Sequence, residues 1–164
     1  MNNSKCPVPK EQQPTNEFLE LSNSIIFSWP KSNKKLCFAL LFIWLLTFFI
    51  FIVISSGSVY FEKNHLKYIL LSLFSSFVVP LLIIVRLYLG WNHIFKRLTS
   101  EKVEYEESGW YDGQTWIKPI ELKEKETLIA TLEVKPILKN LIQLASIISS
   151  VILLGILFFQ YTNY

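Results

Sequence analysis

The residues able to carry chemistry in this chain are few and scattered. Cys6 and Cys37 have thirty residues between them, which is neither a disulfide framework nor a metal-ligand spacing. Cys6 stands in Cys6-Pro7-Val8-Pro9, where alternating prolines favour an extended chain. Cys37 opens an apolar run and reads as a small hydrophobe. His65 and His93 lie at opposite ends of a membrane-length apolar segment. Roughly 30 Å of bilayer then separates them, so they cannot share a metal within one subunit. Each could serve only as a lone axial ligand. Glu101, Glu104, Glu106 and Glu107 cluster but are interleaved with lysine, as on a solvated face or a partner-recognition edge. No Ser/His/Asp or Cys/His group converges, and no glycine-rich phosphate loop occurs. The sequence therefore assigns no catalytic, cofactor-binding or metal-binding residue. The leading expectation is a non-enzymatic factor with no cofactor. The alternative is a small cofactor-, metal- or pigment-binding membrane subunit using His93 or Cys6. A membrane-surface enzyme working through the acidic edge is a third reading.

The other unusual constellation is aromatic. EYEESGWYDGQTWIKP, residues 104–119, gathers Tyr105, Trp110, Tyr111 and Trp116 in a charged, glycine-punctuated stretch between long apolar runs. Asp112-Gly113 is a two-residue hairpin signal, because both residues tolerate positive φ. A turn there pairs Tyr111 with Gln114 and Gly109 with Trp116, and sets Glu107 opposite Lys118. Alternation then puts Val103, Tyr105, Tyr111 and Trp116 on one face. Rings rimmed by charge are common at interfaces, so Tyr105, Trp110, Tyr111 and Trp116 are the candidate docking residues. A lone hairpin is marginal in water and must lie on something. Residues 119–134 read as a helix that could support it, with Pro119 at its first position, a Glu121/Lys125 pair and an apolar side of Leu122, Ile129 and Leu132. Residues 127–134 also alternate like a strand. Pro136 is expected to separate this element from the apolar run that begins at Asn140.

The elements that must hold this module are membrane helices. Of 164 residues, 51% are apolar or aromatic and only 18% charged, a balance on the membrane side of globular proteins. Residues 36–54, 68–85 and 140–159 are free of charge and long enough to span. The fold class is thus mainly α: three transmembrane helices, an amphipathic N-terminal helix over 14–26, and a small β-hairpin plus helix module. The chain divides into an N-terminal segment 1–35, spans at 36–54 and 68–85 joined by a loop 55–67, the module 86–139, a span at 140–159 and a tail 160–164. Lysines and arginines number five before the first span, two in 55–67, nine in 86–139 and none after 159. The positive-inside rule puts the N-terminus and the module on the cytoplasmic-type face and the C-terminus on the other. Phe18, Leu21 and Ile25 share a face of the N-terminal helix, with Trp29 one turn on. Tyr88 and Trp91 are expected at headgroup depth, with Arg86, Lys96 and Arg97 facing lipid heads. Pro80 frees the carbonyl of Ser76, which hydroxyls or a neighbouring helix can satisfy. Ala145, Ser146, Ser149 and Ser150 repeat small residues at i, i+4 and mark a packing face between the second and third spans. No charge lies deep in any span, so a transporter acting alone is not expected. The positive charge is not gathered into a stripe, and nucleic acid is not an expected partner.

CPVPKEQQPTNEFLEL with FSWP, YEESGWYDGQTWIKP and LIATLEVKPILKNL, taken together, resemble the family of hypothetical chloroplast open reading frame thirty-six, found in cyanobacteria, algal plastids and plants. The resemblance covers nearly the whole chain and the order of spans. It implies a plastid or cyanobacterial membrane, the thylakoid in particular, with the hairpin stromal and the C-terminus lumenal. It supplies no catalytic or cofactor residue. With no Arg/Ser-rich stretch ahead of Cys6, an organelle-encoded gene is the expectation. The implied partners are the lipid bilayer and a membrane protein complex, a photosynthetic one being the expectation, for which the chain would act in assembly, stability or regulation.

Overall fold

Charge-free apolar runs leave the backbone no partner in lipid except itself, and helices result. The computed structural model describes residues 7–57, 65–105 and 114–163. Helices α1 (Pro14–Asn23), α2 (Asn33–Ser56), α3 (His65–Ser75) and α4 (Val78–Thr99) precede strands β1 (Lys102–Tyr105) and β2 (Gln114–Ile117). Helix α5 (Ile120–Ile129), a π-helical turn (Ala130–Val134) and α6 (Lys135–Asn163) complete the chain. Three stretches are helices long and apolar enough to cross a membrane: Asn33–Ser56, His65–Thr99 and Ile120–Tyr161. The chain divides into two compact units, one drawn from Met1–Ser28 and Leu89–Leu138, the other from Trp29–Tyr88 and Lys139–Tyr164.

In the second unit, Trp44 of α2 stacks on Phe77, ring centroids 5.1 Å apart. The helix from His65 is interrupted at Ser76 and Phe77, just ahead of Pro80. Proline has no N–H, and its ring crowds the carbonyl four residues back. That carbonyl, on Ser76, lies 3.2 Å from the buried Thr47 hydroxyl of α2. Ser55 Oγ and Ser72 Oγ meet at 3.0 Å along the same pair of helices. Helix α6 approaches α3 at Gly155, where a Cβ would overlap the Phe74 side chain. Ser146 and Ser150 are exposed and donate to their own helix at Gln143 and Ile147, while Ala145 and Ser149 are half-buried.

Three expectations are corrected. Pro136 does not end the helix: α5, the π turn and α6 run on without a gap, because the wider turn absorbs the proline. Within that helix Glu126, Ala130 and Val134 are buried and Leu132 is exposed, so the buried side is not the Leu122/Ile129/Leu132 side. Helix α1 stops at Asn23, which leaves Ile25 exposed and puts Trp29 in a separate 3-10 turn, while Phe18 and Ser22 are buried.

Candidate functional site

The first unit is built on the end of α4. Trp91, Ile94 and Leu98 succeed one another at i, i+3 and i+7 and are buried. Phe18 of α1 meets the Trp91 ring edge-on at 6.1 Å, and Phe27 lies against Gly90, where only a hydrogen leaves room. Trp91 is therefore a core residue with 0% exposure, not a member of an interfacial belt. Arg97 likewise turns inward: its Nη1 donates to Glu17 Oε1 at 2.5 Å and its Nη2 to the Gln12 carbonyl at 3.0 Å. Burial pushes the Glu17 carboxyl above its ordinary range, against the pull of Arg97 and His93.

Strands β1 and β2 pair antiparallel in a register that sets Val103 opposite Trp116 and Tyr105 opposite Gln114. The expected pairing of Tyr111 with Gln114 is thus corrected. Residues 106–113 connect the strands, so Glu107, Gly109, Trp110, Tyr111 and the turn residues Asp112 and Gly113 lie outside the described residues. The shared face of Val103, Tyr105 and Trp116 is present, and it points inward. Val8, Val103 and Tyr105 form a buried cluster with Trp116 packed against it. The Tyr105 hydroxyl donates to Gln114 Oε1 at 2.7 Å.

Sequence reasoning missed the polar centre of this unit. Lys118 does not face a strand neighbour. Its ammonium is fully buried, 2.5 Å from Glu126 Oε2, and donates to the carbonyls of Arg97 at 2.8 Å and Leu98 at 3.3 Å. Those carbonyls belong to the last turn of α4, which has no intrahelical donors left for them. One lysine thus ties α4, β2 and α5 together. Its backbone N–H also bonds the Glu101 carbonyl at 3.0 Å, and Glu101 itself pairs with Lys123 at 2.5 Å. Nothing in the spacing of Lys118 and Glu126 announces this.

Two features face outward here. A cavity of about 230 Å³ is lined by Val8, Pro14, Val103, Trp116, Leu122 and Glu126. Beyond it, Ile117, Ile120, Leu128 and Leu132 are 58–76% exposed. Of the candidate docking residues, Trp116 is half-buried and lines this cavity, and Tyr105 is core. His93 is exposed near the end of α4, and His65 begins α3. Among the described residues no group of three His, Cys, Asp or Glu side chains is placed to hold a metal.

The chain belongs to the CGLD27-like family, described as conserved in the green lineage and diatoms 27, whose model matches residues 6–147. It is 42% identical to a protein of Pyropia yezoensis named uncharacterized protein ycf36, over 97% of each chain. A ycf36 protein of Cyanophora paradoxa is 38% identical over 92% of this chain and 94% of its own. A chloroplastic protein of Arabidopsis thaliana, named for conservation in the green lineage and diatoms, is 36% identical over 85% of this chain and 43% of its own. No solved structure matches.

Proposed function

We propose that this member of the CGLD27-like family is a multi-pass plastid membrane protein that docks non-enzymatically on a larger membrane complex. Its first unit is the docking element, and its role is the assembly, stability or regulation of that complex, a photosynthetic one in this proposal. The thylakoid is the proposed membrane, with the N-terminus and the unit stromal and the C-terminus lumenal. The supporting observation is the apolar cavity beside Trp116. Tyr105, Val103 and Val8 fix the indole from behind, which leaves one edge of a rigid aromatic facing a hollow about the size of one large side chain. Rigid aromatics beside unfilled apolar pockets are the usual anchors of interfaces, because little rotamer entropy is lost on contact. Ile117 and Ile120 extend the apolar surface outward. Trp110 and Tyr111 add to the docking surface in this proposal.

The test is purification of tagged protein from native membranes in mild detergent. The wild type should retain a partner at near-stoichiometric yield. Leu122→Trp, which fills the hollow from its wall, should lower that yield while the protein still inserts and keeps its unfolding temperature. Recovery of a lone monomer from the wild type, or equal partner yield from both, would sink the proposal.

A further inference from the structure

The end of α4 and the start of β1 wall a second concavity in the first unit, about 600 Å³ in volume. Its lining includes His93, Lys96, Arg97, Ser100, Lys102 and Tyr105, with Glu104 as the one carboxylate among the lining residues. Two further carboxylates nearby are already engaged. Glu17 holds Arg97, and Glu101 holds Lys123. Lys96 and Lys102 form no ion pair with any described residue. Arg97 is already oriented, with Nη2 between the carbonyls of Gln12 at 3.0 Å and Glu104 at 3.4 Å. Cations in the last turn of a helix offset its negative end, and that accounts for Lys96 and Arg97. It does not account for Lys102, which lies beyond the helix on β1, or for the hollow between them. Lys96 and Lys102, against Glu104 as the lining carboxylate, leave this wall of the cavity positive, and the Arg97 guanidinium is fixed beside them, an arrangement that suits the charge of an oxyanion.

We propose that this cavity binds the tetrahedral oxyanion of a phosphate or sulfonate group, held by Lys96 and Lys102 and oriented by Arg97. Two sources carry that chemistry: the headgroup of an anionic lipid and a soluble phosphate. The cavity shares only Val103 with the lining of the hollow beside Trp116, and its lysines belong to neither that hollow nor the docking surface, so the proposal stands independently of docking.

The experiment uses the full chain in two arms. In detergent, inorganic phosphate is titrated and followed by phosphorus NMR. In nanodiscs of phosphatidylcholine with and without phosphatidylglycerol, the lipid retained after extraction is counted by native mass spectrometry. The wild type should hold the anion in at least one arm, more weakly as salt rises. The Lys96→Gln/Lys102→Gln double variant should lose about tenfold or more in affinity. Lys125→Gln, an exposed lysine of α5, should change nothing. Both substituted lysines are exposed, so the unfolding temperature should be unchanged. Lys102→Glu alone, which leaves α4 untouched, should also weaken binding. Phosphate binding in detergent assigns a soluble source, and selective retention of phosphatidylglycerol alone assigns a lipid source. No anion in either arm, or equal losses in Lys125→Gln and the double variant, overturns the site.

Discussion

Replacing Lys118 by methionine removes the charge at the centre of the first unit while keeping most of the side-chain volume. The ammonium is 0% exposed and its partner carboxylate, Glu126, 2%. At 2.5 Å and an effective dielectric of about 20, their attraction is on the order of 7 kcal/mol before desolvation. Desolvation of two ions offsets most of that, so the intact pair contributes little on balance. Breaking it is different, because Glu126 is then left as a buried, uncompensated charge. The Leu98 carbonyl also loses its side-chain donor, and the Arg97 carbonyl keeps only the Ser100 hydroxyl. The expected cost is about 3–5 kcal/mol, a fall of on the order of 10 °C in unfolding temperature for a chain of this length. Thermal unfolding in micelles, followed by tryptophan fluorescence, reads it. Lys118→Met/Glu126→Leu removes both charges and should recover part of the loss, though not all, since the lysine's hydrogen bonds to the Arg97 and Leu98 carbonyls stay lost. A single variant as stable as the wild type, or a double variant less stable than the single one, would refute this account of the core.

Gly155→Leu should cost about 1–3 kcal/mol, because its side chain overlaps Phe74 near that residue's own Cβ, where little can yield; unfolding temperature in micelles measures it. The pH profile should show two limbs of opposite sign. Glu17 has a raised carboxyl pKa, so its contribution is present below 4.5 and is lost as pH rises through the raised value. Glu17→Gln should remove that limb. Glu101, held down by its hydrogen bond and charge contact with Lys123, gives stability above 4.5 that is lost as pH falls through the lowered value. Glu101→Gln should remove that second limb, and unfolding midpoints taken across the acid range separate the two.

Which features could be read in advance depends on how local their causes are. The spans were legible because the absence of charge over some twenty residues has one physical outcome in lipid. The link between Pro80, the Ser76 carbonyl and a neighbouring hydroxyl was legible for the same reason: proline acts at a fixed offset. The inner face of Val103, Tyr105 and Trp116 comes from alternation and survives a change of register. The register itself was not legible, because Asp112-Gly113 pulls any local reading toward a two-residue turn, whereas the observed ladder closes with Tyr105 opposite Gln114. Trp91 was misplaced because it stands just past an apolar span, where interfacial tryptophan is common. The spacing of Ile84, Leu87, Trp91, Ile94 and Leu98 continues one buried stripe and carried the better signal. Lys118 and Glu126 gave none, since a strand end and a helix turn meet only through the tertiary fold.

Both helix irregularities have the same origin. Proline crowds the carbonyl four residues before it. For Pro80 that residue is Ser76, where the helix breaks; for Pro136 it is Leu132, inside the π turn. In the first case a hydroxyl from α2 covers the exposed carbonyl. In the second the helix takes up the strain by widening over Ala130–Val134, and Glu126, Ala130, Val134, Ile137 and Leu141 keep one buried stripe through it. Leu132 lies outside with Leu128, while Glu126, in the regular helix ahead of the turn, faces in to meet Lys118. The buried ion pair and the exposed leucines thus lie on opposite sides of one continuous helix, the pair on α5 itself and the helix carried on past Pro136 by the widened turn.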